Sequence, residues 1–433
     1  MSYRKTIHIL IMLIMLISIL SLKAQAYKKI KLFMPQTPEI DLGDAKTIAV
    51  LDFKPIDNSS TEAGKSIADK MLEYFLTEDR GIRDINGSLF SKGTEGNTLI
   101  DGLSTKCFRV VERSRLEAIL DEQSMSDVGF VDDAQAARIG QLLGVDIMLY
   151  GEVSDNREDK NGYETRTIDK KKVKVRCTTR EVSITASIRI VDTRTGEIIG
   201  IKRLTQTQND KHCSGDFGKL KNDADMAAEC ANVLAWNFTN LINPWYAYDV
   251  FELEKIKLKE FKASADEAAE AAENLELDKA YAIYKNLYES DSYNPKFLYN
   301  MGVLYEVTGD FDKAREMYEG AVMLKDEKNY LEAVERIDNR LRLIPFYTNL
   351  DMEIIPFDFE AASENESLFA EKVTIKGGSG DRIPIYSDAS ELSEVQTRVP
   401  GGIQLEVIEQ QGDWVMVKLL GGKQGFIENE NVK

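Results

Sequence analysis

The hydrophobic period of this chain changes twice along its length, which rules out one layered core built from a single kind of element. From Thr47 to about residue 245, short apolar runs alternate with stretches of helical spacing. Thr47–Phe53 is nearly continuously apolar, the pattern of a buried strand. Ser59 with Glu62 makes a capping box, and Ile67, Met71, Leu72 and Phe75 follow at helical spacing. Phe108–Glu112 reads as the next strand, and Ser114 with Glu117 opens a helix carrying Leu116, Ile119 and Leu120. A third helix starts at Asp132 or Asp133 and ends at Gly144, before a strand from Val145 to Val153. A hairpin then turns at Asp192–Gly196, between Val182–Val191 and Ile198–Thr207. The last helix carries Met226, Cys230, Val233, Leu234 and Phe238 on one stripe and stops at Pro244. Residues 80–106, rich in Gly, Ser and Asn, read as a long loop. The expected unit is an α/β domain over 45–245.

Residues 264–343 change to an all-α grammar with an internal echo. Leu277-Asp-Lys-Ala280 and Tyr284 recur 34 residues later as Phe311-Asp-Lys-Ala314 and Tyr318. Together with Leu298, Met301, Gly302, Tyr305, Gly309 and Ala321 they resemble a tetratricopeptide repeat (TPR), in which small residues let two helices approach and aromatics fill between them. A plain helical hairpin is the alternative. Tyr330–Leu343 reads as a capping helix. Pro345, Pro356 and an acidic stretch make 344–370 a linker. From residue 371 to 433 the pattern is short alternating strands with glycine turns. Ile403, Leu405 and Val407 point one way, Gly412-Asp413 turns, and Val415, Val417 and Leu419 alternate again before Gln424–Ile427. A small all-β barrel is expected there.

Arg4 and Lys5 precede an apolar run from Ile9 to Leu22, and Ala24-Gln25-Ala26 follows. This is the grammar of a signal peptide over residues 1–26, cut after Ala26. A retained anchor is the alternative, but the run is shorter than the ~20 residues that span a bilayer. No Cys lies in or just after the run, so an N-terminal lipid-modified cysteine is not expected. Cleavage removes three basic residues and no acid, moving the formal charge from −18 to −21. So acidic a chain disfavours nucleic acid and direct adsorption to anionic lipid.

The mature chain carries Cys107, Cys177, Cys213 and Cys230, and His212 is its one histidine. An even cysteine count in an oxidising compartment allows two disulfides; four free thiols are the alternative. Cys and His spacings suggest no zinc site, and no G-x-S-x-G, H-E-x-x-H or Walker A sequence appears. Lys376–Gly380 is glycine-rich but precedes a strand, so it reads as a turn. Lys170–Arg176 reads as a solvated strand face more readily than as a site for an anionic polymer. No catalytic residue, metal or cofactor is nominated, and the chain reads as a non-enzyme.

The first domain resembles the CsgG family of curli secretion components, through Ile48–Phe53, Val110–Gln123, Ala137–Asp146, Gly151–Val153 and Val191–Glu197. The resemblance implies a periplasmic or outer-membrane-associated protein that assembles with envelope proteins or with itself. Ile385-Tyr386, Gly412–Lys418 and Lys423–Ile427 resemble a bacterial SH3 domain, which implies protein or peptidoglycan binding. Tyr386, Trp414 and Phe426 are the candidate groove residues, with core packing as the alternative. The Arg-Ser-Gly-Pro stretch common in such domains is replaced here by Tyr386–Ala389. That departure weakens a peptidoglycan assignment.

Channel members of the CsgG family insert two hairpins per subunit into the outer membrane, at places corresponding to Ser154–Glu181 and Gln206–Asp223. A lipid-facing strand needs about 9–11 residues with every second side chain apolar. Ser154–Glu181 instead holds 15 charged residues among 28. The expectation is therefore an adaptor without membrane hairpins, with an export channel for surface fibres as the alternative. If the hairpin about Arg194-Thr195 extends outward, cross-strand partners have numbers summing to about 389. Cys177 and Cys213 then lie nearly opposite, where a disulfide can tie the hairpin. Cys107 and Cys230 would be the second pair.

Overall fold

The computed structural model describes residues 27–56, 61–85, 96–100, 103–111, 133–168, 170–359, 372–377, 381–419 and 424–433. The signal peptide, Ser59 of the capping box, the helix expected from Ser114, Asp132 and the last three residues of Lys376–Gly380 lie outside the described residues.

The α/β body is a mixed sheet. Its strands are β2 (Thr47–Val50), β3 (Lys54–Pro55), β4 (Arg109–Val110), β5 (Ile147–Ile168), β6 (Lys171–Asp192) and β7 (Ile198–Cys213). They lie in the order β4-β2-β5-β6-β7, with β3 beside β5. The β2, β4 and β5 pairings are parallel, and β5, β6 and β7 pair antiparallel. Strand alternation divides the side chains between two faces. Ile48, Val50, Ile147 and Leu149 pack under α1 (Thr61–Phe75) and α3 (Asp223–Asn240), through Ile67, Met71, Phe75, Leu234 and Phe238. Ala49, Leu51, Met148 and Tyr150 face Ala136, Ile139 and Leu143 of α2 (Asp133–Leu143) on the other side. The Asp146 carboxylate accepts from the Thr47 hydroxyl at 2.7 Å and from the Lys46 and Thr47 amides at 2.9 Å, which fixes the β2–β5 register. Burial raises the pKa of this carboxyl, but those donors outweigh it and hold the group below the usual range.

The described parts of the expected loop at 80–106 are anchored by a buried arginine. Arg80 donates to Asn240 Oδ1 at 2.6 Å and to the Asn243 and Pro244 carbonyls at 3.0 and 2.8 Å. Its guanidinium lies 4.8 Å from the centre of the Trp236 ring. Burial pulls its pKa down to about 10.

A two-stranded ribbon lies outside the limits drawn from the sequence. β1 (Lys29–Gln36) pairs antiparallel with β8 (Trp245–Glu252), from Lys29 opposite Glu252 to Gln36 opposite Trp245. Beyond it come α4 (Lys262–Glu273), α5 (Leu277–Ser290), α6 (Pro295–Val307), α7 (Phe311–Leu324) and α8 (Lys328–Leu341). Their aromatic interior holds Tyr281, Tyr284, Tyr299, Tyr305, Tyr318 and Tyr330. A Cβ on Gly302 would stand 2.7 Å from the Tyr318 ring, so a side chain there would push α6 and α7 apart. One hydrophobic cluster runs without a break from Ile30 through Phe238 and Phe251 to Tyr318, Tyr347 and Phe359. The sheet body and the helices therefore share a core.

Glu306 braces that junction. Fully buried, it accepts from Arg336 Nε and Nη2 at 2.8 Å each, from Arg340 Nε at 2.8 Å and from the Tyr318 hydroxyl at 2.7 Å. Arg340 also donates to the Pro35 carbonyl at 2.7 Å and pairs with Asp249, tying α8 to the ribbon. Part of the expected linker is folded: α9 spans Leu343–Asn349, and Phe346, Tyr347 and Phe359 are buried. The Phe359 ring stacks on Tyr281 at 4.6 Å. Two prolines and a run of acids suggested a linker, but aromatics at 346, 347, 357 and 359 fold the segment onto the helices.

The C-terminal residues form a β half-barrel. Its strands are β9 (Lys372–Thr374), β10 (Arg382–Tyr386), β11 (Val395–Pro400), β12 (Gln404–Gln411), β13 (Trp414–Lys418) and β14 (Gln424–Glu428), in the order β11-β10-β14-β13-β12-β9. Ile375, Ile385, Val399, Val415, Val417, Ile427 and Val432 make a separate small core.

Candidate functional site

The hairpin read from the sequence is the inner half of a much longer structure. β5 and β6 each run 22 residues and pair without interruption from Ile147 opposite Asp192 to Ile168 opposite Lys171. At about 3.3 Å per residue such a strand spans roughly 70 Å. β7 follows β6 as far as Cys213. Both candidate membrane hairpins thus contribute strands to one continuous arm, apart from residues 214–223, three-stranded as far as Cys177–Cys213 and two-stranded beyond.

Burial divides this arm in two. In its inner half Val182, Ile184, Ala186, Ile188 and Ile190 point alternately into the core beneath α3. In its outer half Asn156–Tyr163 and Lys171–Lys174 are exposed without alternation, so the rest of the chain covers neither face. Only Val175, Cys177 and Cys213 form a small buried cluster there. Ion pairs cross the strands: Arg180 grips both Asp159 oxygens at 2.8 and 2.7 Å, Lys211 pairs with Glu164, and Arg166 pairs with Asp216. Arg180 holds the Asp159 carboxyl below the usual range, and Arg166 does the same for Asp216. Arg157 bridges the arm to Asp223, the first residue of α3, at 3.1 Å. Tyr163 and Phe217 stand exposed, 74% and 105%, where a partner could cover them.

The turn at the arm's base uses Gly196 at φ +76°, with its amide on the Asp192 carbonyl at 2.8 Å and Asp192 Oδ1 accepting from the Arg194 amide at 2.8 Å. One extra residue, Ile199, bulges just beyond it. Val191 pairs with Ile198, but Ile190 pairs with Gly200, so partner numbers outside the bulge sum to 390. Cys177 therefore falls opposite Cys213, and the two form a disulfide. Cys107 and Cys230 do not form the second pair; both are free thiols. Cys107 donates to the Ser104 carbonyl at 3.1 Å, whereas Cys230 lies under the arm against the Val182 carbonyl at 3.7 Å. The cysteine count could not separate those surroundings.

Glu164 lies beside the two bonded cysteines, the one group of three possible metal ligands among the described residues. Sulfurs joined to each other are not thiolates, so the set does not suit a metal. His212 sits on the outer arm with Nε2 3.1 Å from the Gly218 carbonyl. No described helix is long and apolar enough to cross a membrane.

In the half-barrel, Tyr386 and Trp414 meet edge to face at 5.3 Å, both half-buried. Phe426 is opposite Tyr386 in the ladder but is 9% exposed. Two of the three groove candidates thus offer ring surface to solvent, and the third lies mainly inside.

Residues 83–224 match the family model of the curli production assembly/transport component CsgG, which covers the arm and less than half of the chain. No curated protein matches the chain. Among solved structures, the LpoB C-terminal domain from Salmonella enterica is 15% identical, with 38% of this chain and 84% of that one covered and a TM-score of 0.22. Lipoprotein GNA1162 from Neisseria meningitidis is 13% identical, over 45% and 98% of the chains, with a TM-score of 0.22. The PelC dodecamer from Paraburkholderia phytofirmans is 11% identical, over 49% and 97%, with a TM-score of 0.20. At TM-scores of this size the likeness fixes neither fold nor function.

Proposed function

We propose that the protein is a non-enzymatic assembly or adaptor protein of the bacterial cell envelope. In this reading its CsgG-like α/β body carries a stiff, water-exposed arm, and its C-terminal helices and half-barrel bind protein or cell-wall partners. The match over residues 83–224 supports an assembly role. The observation that carries the reading is the outer arm, which is charged and uncovered on both faces. A strand charged on both sides cannot sit in hydrocarbon, where one lysine or arginine at mid-depth costs about 2–4 kcal/mol. Stapled by Cys177–Cys213 and cross-braced by ion pairs, the arm suits contact with another protein or a second copy. The helices, read as TPR-like, and the half-barrel, read as SH3-like, supply further surfaces, with Tyr386 and Trp414 as a half-buried aromatic pair.

Cross-linking in intact cells with a lysine-reactive reagent, followed by peptide mapping, tests the adaptor role. Specific links from Lys170–Lys174 or from α4–α8 to envelope proteins, or to a second copy, are expected. A pattern no different from that of an unrelated exported protein would refute it. Purified wall sacculi address the half-barrel: if it binds peptidoglycan, a chain lacking residues 372–433 is retained less, and equal retention removes that role.

A further inference from the structure

A cavity of about 290 Å3 opens where β1, β8 and α8 meet, with Pro35, Trp245, Asp249, Arg336, Arg340 and Arg342 around it. Three guanidiniums line one space in a chain whose formal charge is −18. Two are largely committed: Arg336 is held by Glu306 at 2.8 Å through Nε and Nη2, and Arg340 is shared between Glu306, Asp249 and the Pro35 carbonyl. Three arginines against the carboxylates of Glu306 and Asp249 leave one positive charge over. Arg342 carries it: its Nη2 donates to the Pro38 carbonyl at 3.3 Å, and no carboxylate of the described residues lies within ion-pair distance. Beside these charges, Trp245 and Pro35 also line the space.

We propose that this cavity binds the terminal carboxylate of a peptide chain, with Arg342 taking the carboxylate and the last side chain lying against Trp245 and Pro35. One surplus charge suits a monoanion. A phosphate dianion would add a second negative charge beside Asp249 and Glu306 without a cation to meet it. The volume is larger than a carboxylate alone and accommodates one side chain as well. A planar guanidinium offers paired donors that fit a carboxylate on both oxygens.

Calorimetric titration of the full mature chain tests this, using N-acetyl-Ala-Leu with a free carboxylate, its C-terminal amide, acetate and inorganic phosphate as probes. The free acid should bind, and the amide and acetate at least about ten-fold more weakly, the size of one charge-assisted hydrogen bond. Arg342→Ala should lose a similar factor with an unchanged melting temperature, because Arg342 is exposed and outside the core. Arg342→Lys should keep part of the affinity. Equal binding of acid and amide, phosphate or acetate as the tightest probe, no heat at millimolar peptide, or wild-type affinity in Arg342→Ala would each overturn the proposal. The site does not depend on the adaptor reading, which stands or falls on cross-linking.

Discussion

Glu306 shows how one residue joins two regions that look separate in sequence. Burial by itself would raise its pKa, but the facing Arg336, its hydrogen bonds and Arg340 outweigh that and hold the carboxyl below its ordinary value of 4.5. A carboxyl depressed in the folded state contributes stability that is full above its unfolded pKa and is lost as pH falls through the folded one. Urea midpoints should therefore hold steady above about pH 5 and fall on acidification below about pH 4. Glu306→Gln leaves two guanidiniums facing a neutral amide and should cost about 3–5 kcal/mol at neutral pH, with the acid dependence flattened. At Cys107, burial pushes the thiol up to about 12 despite Arg80, which acts in the opposite direction. Iodoacetamide at pH 8 should modify it about a thousand-fold more slowly in the native protein than after unfolding. Comparable rates would show that the thiol is not desolvated. None of these partners had a signal in the sequence, because Glu306 and the arginines at 336 and 340 read like any charged surface.

Among the elements, helix packing and arm pairing carry the sharpest expectations. Gly302→Ala improves helix propensity, yet the new Cβ meets the Tyr318 ring at 2.7 Å. Overpacking of this kind costs about 1–3 kcal/mol, so a lower melting temperature is expected and a raised one would mean that α7 shifts easily. Reducing Cys177–Cys213 removes a tie that contributes about 2–4 kcal/mol in typical proteins. Amide exchange should then accelerate at Gln206–Cys213 and stay slow at Ile184–Ile190, which pack under α3. Uniform exchange along β7 before and after reduction would contradict that role. Elements with an apolar period were legible: α3, the inner hairpin, the two helices around Gly302 and the half-barrel strands all follow their spacing. The outer arm was not, because period-two alternation marks a strand only where one face is dry. Ile199 escaped notice for a related reason, since a bulge leaves no mark on composition.

At the scale of the whole molecule, residues 29–36 and 245–252 pair as a ribbon between the sheet body and the helices, and one core passes through it. Limits drawn at changes of hydrophobic period missed this, because period reports local geometry and says nothing about which cores merge. The arm projects from that body with fifteen charged residues over Ser154–Glu181, and the account rests on its being an aqueous structure. Alkaline carbonate extraction of cell envelopes tests this most directly. The protein should pass into the supernatant without detergent, and its gel mobility should not depend on heating. Retention in the membrane pellet until detergent is added, with a heat-modifiable band, would place the arm in lipid and contradict the account.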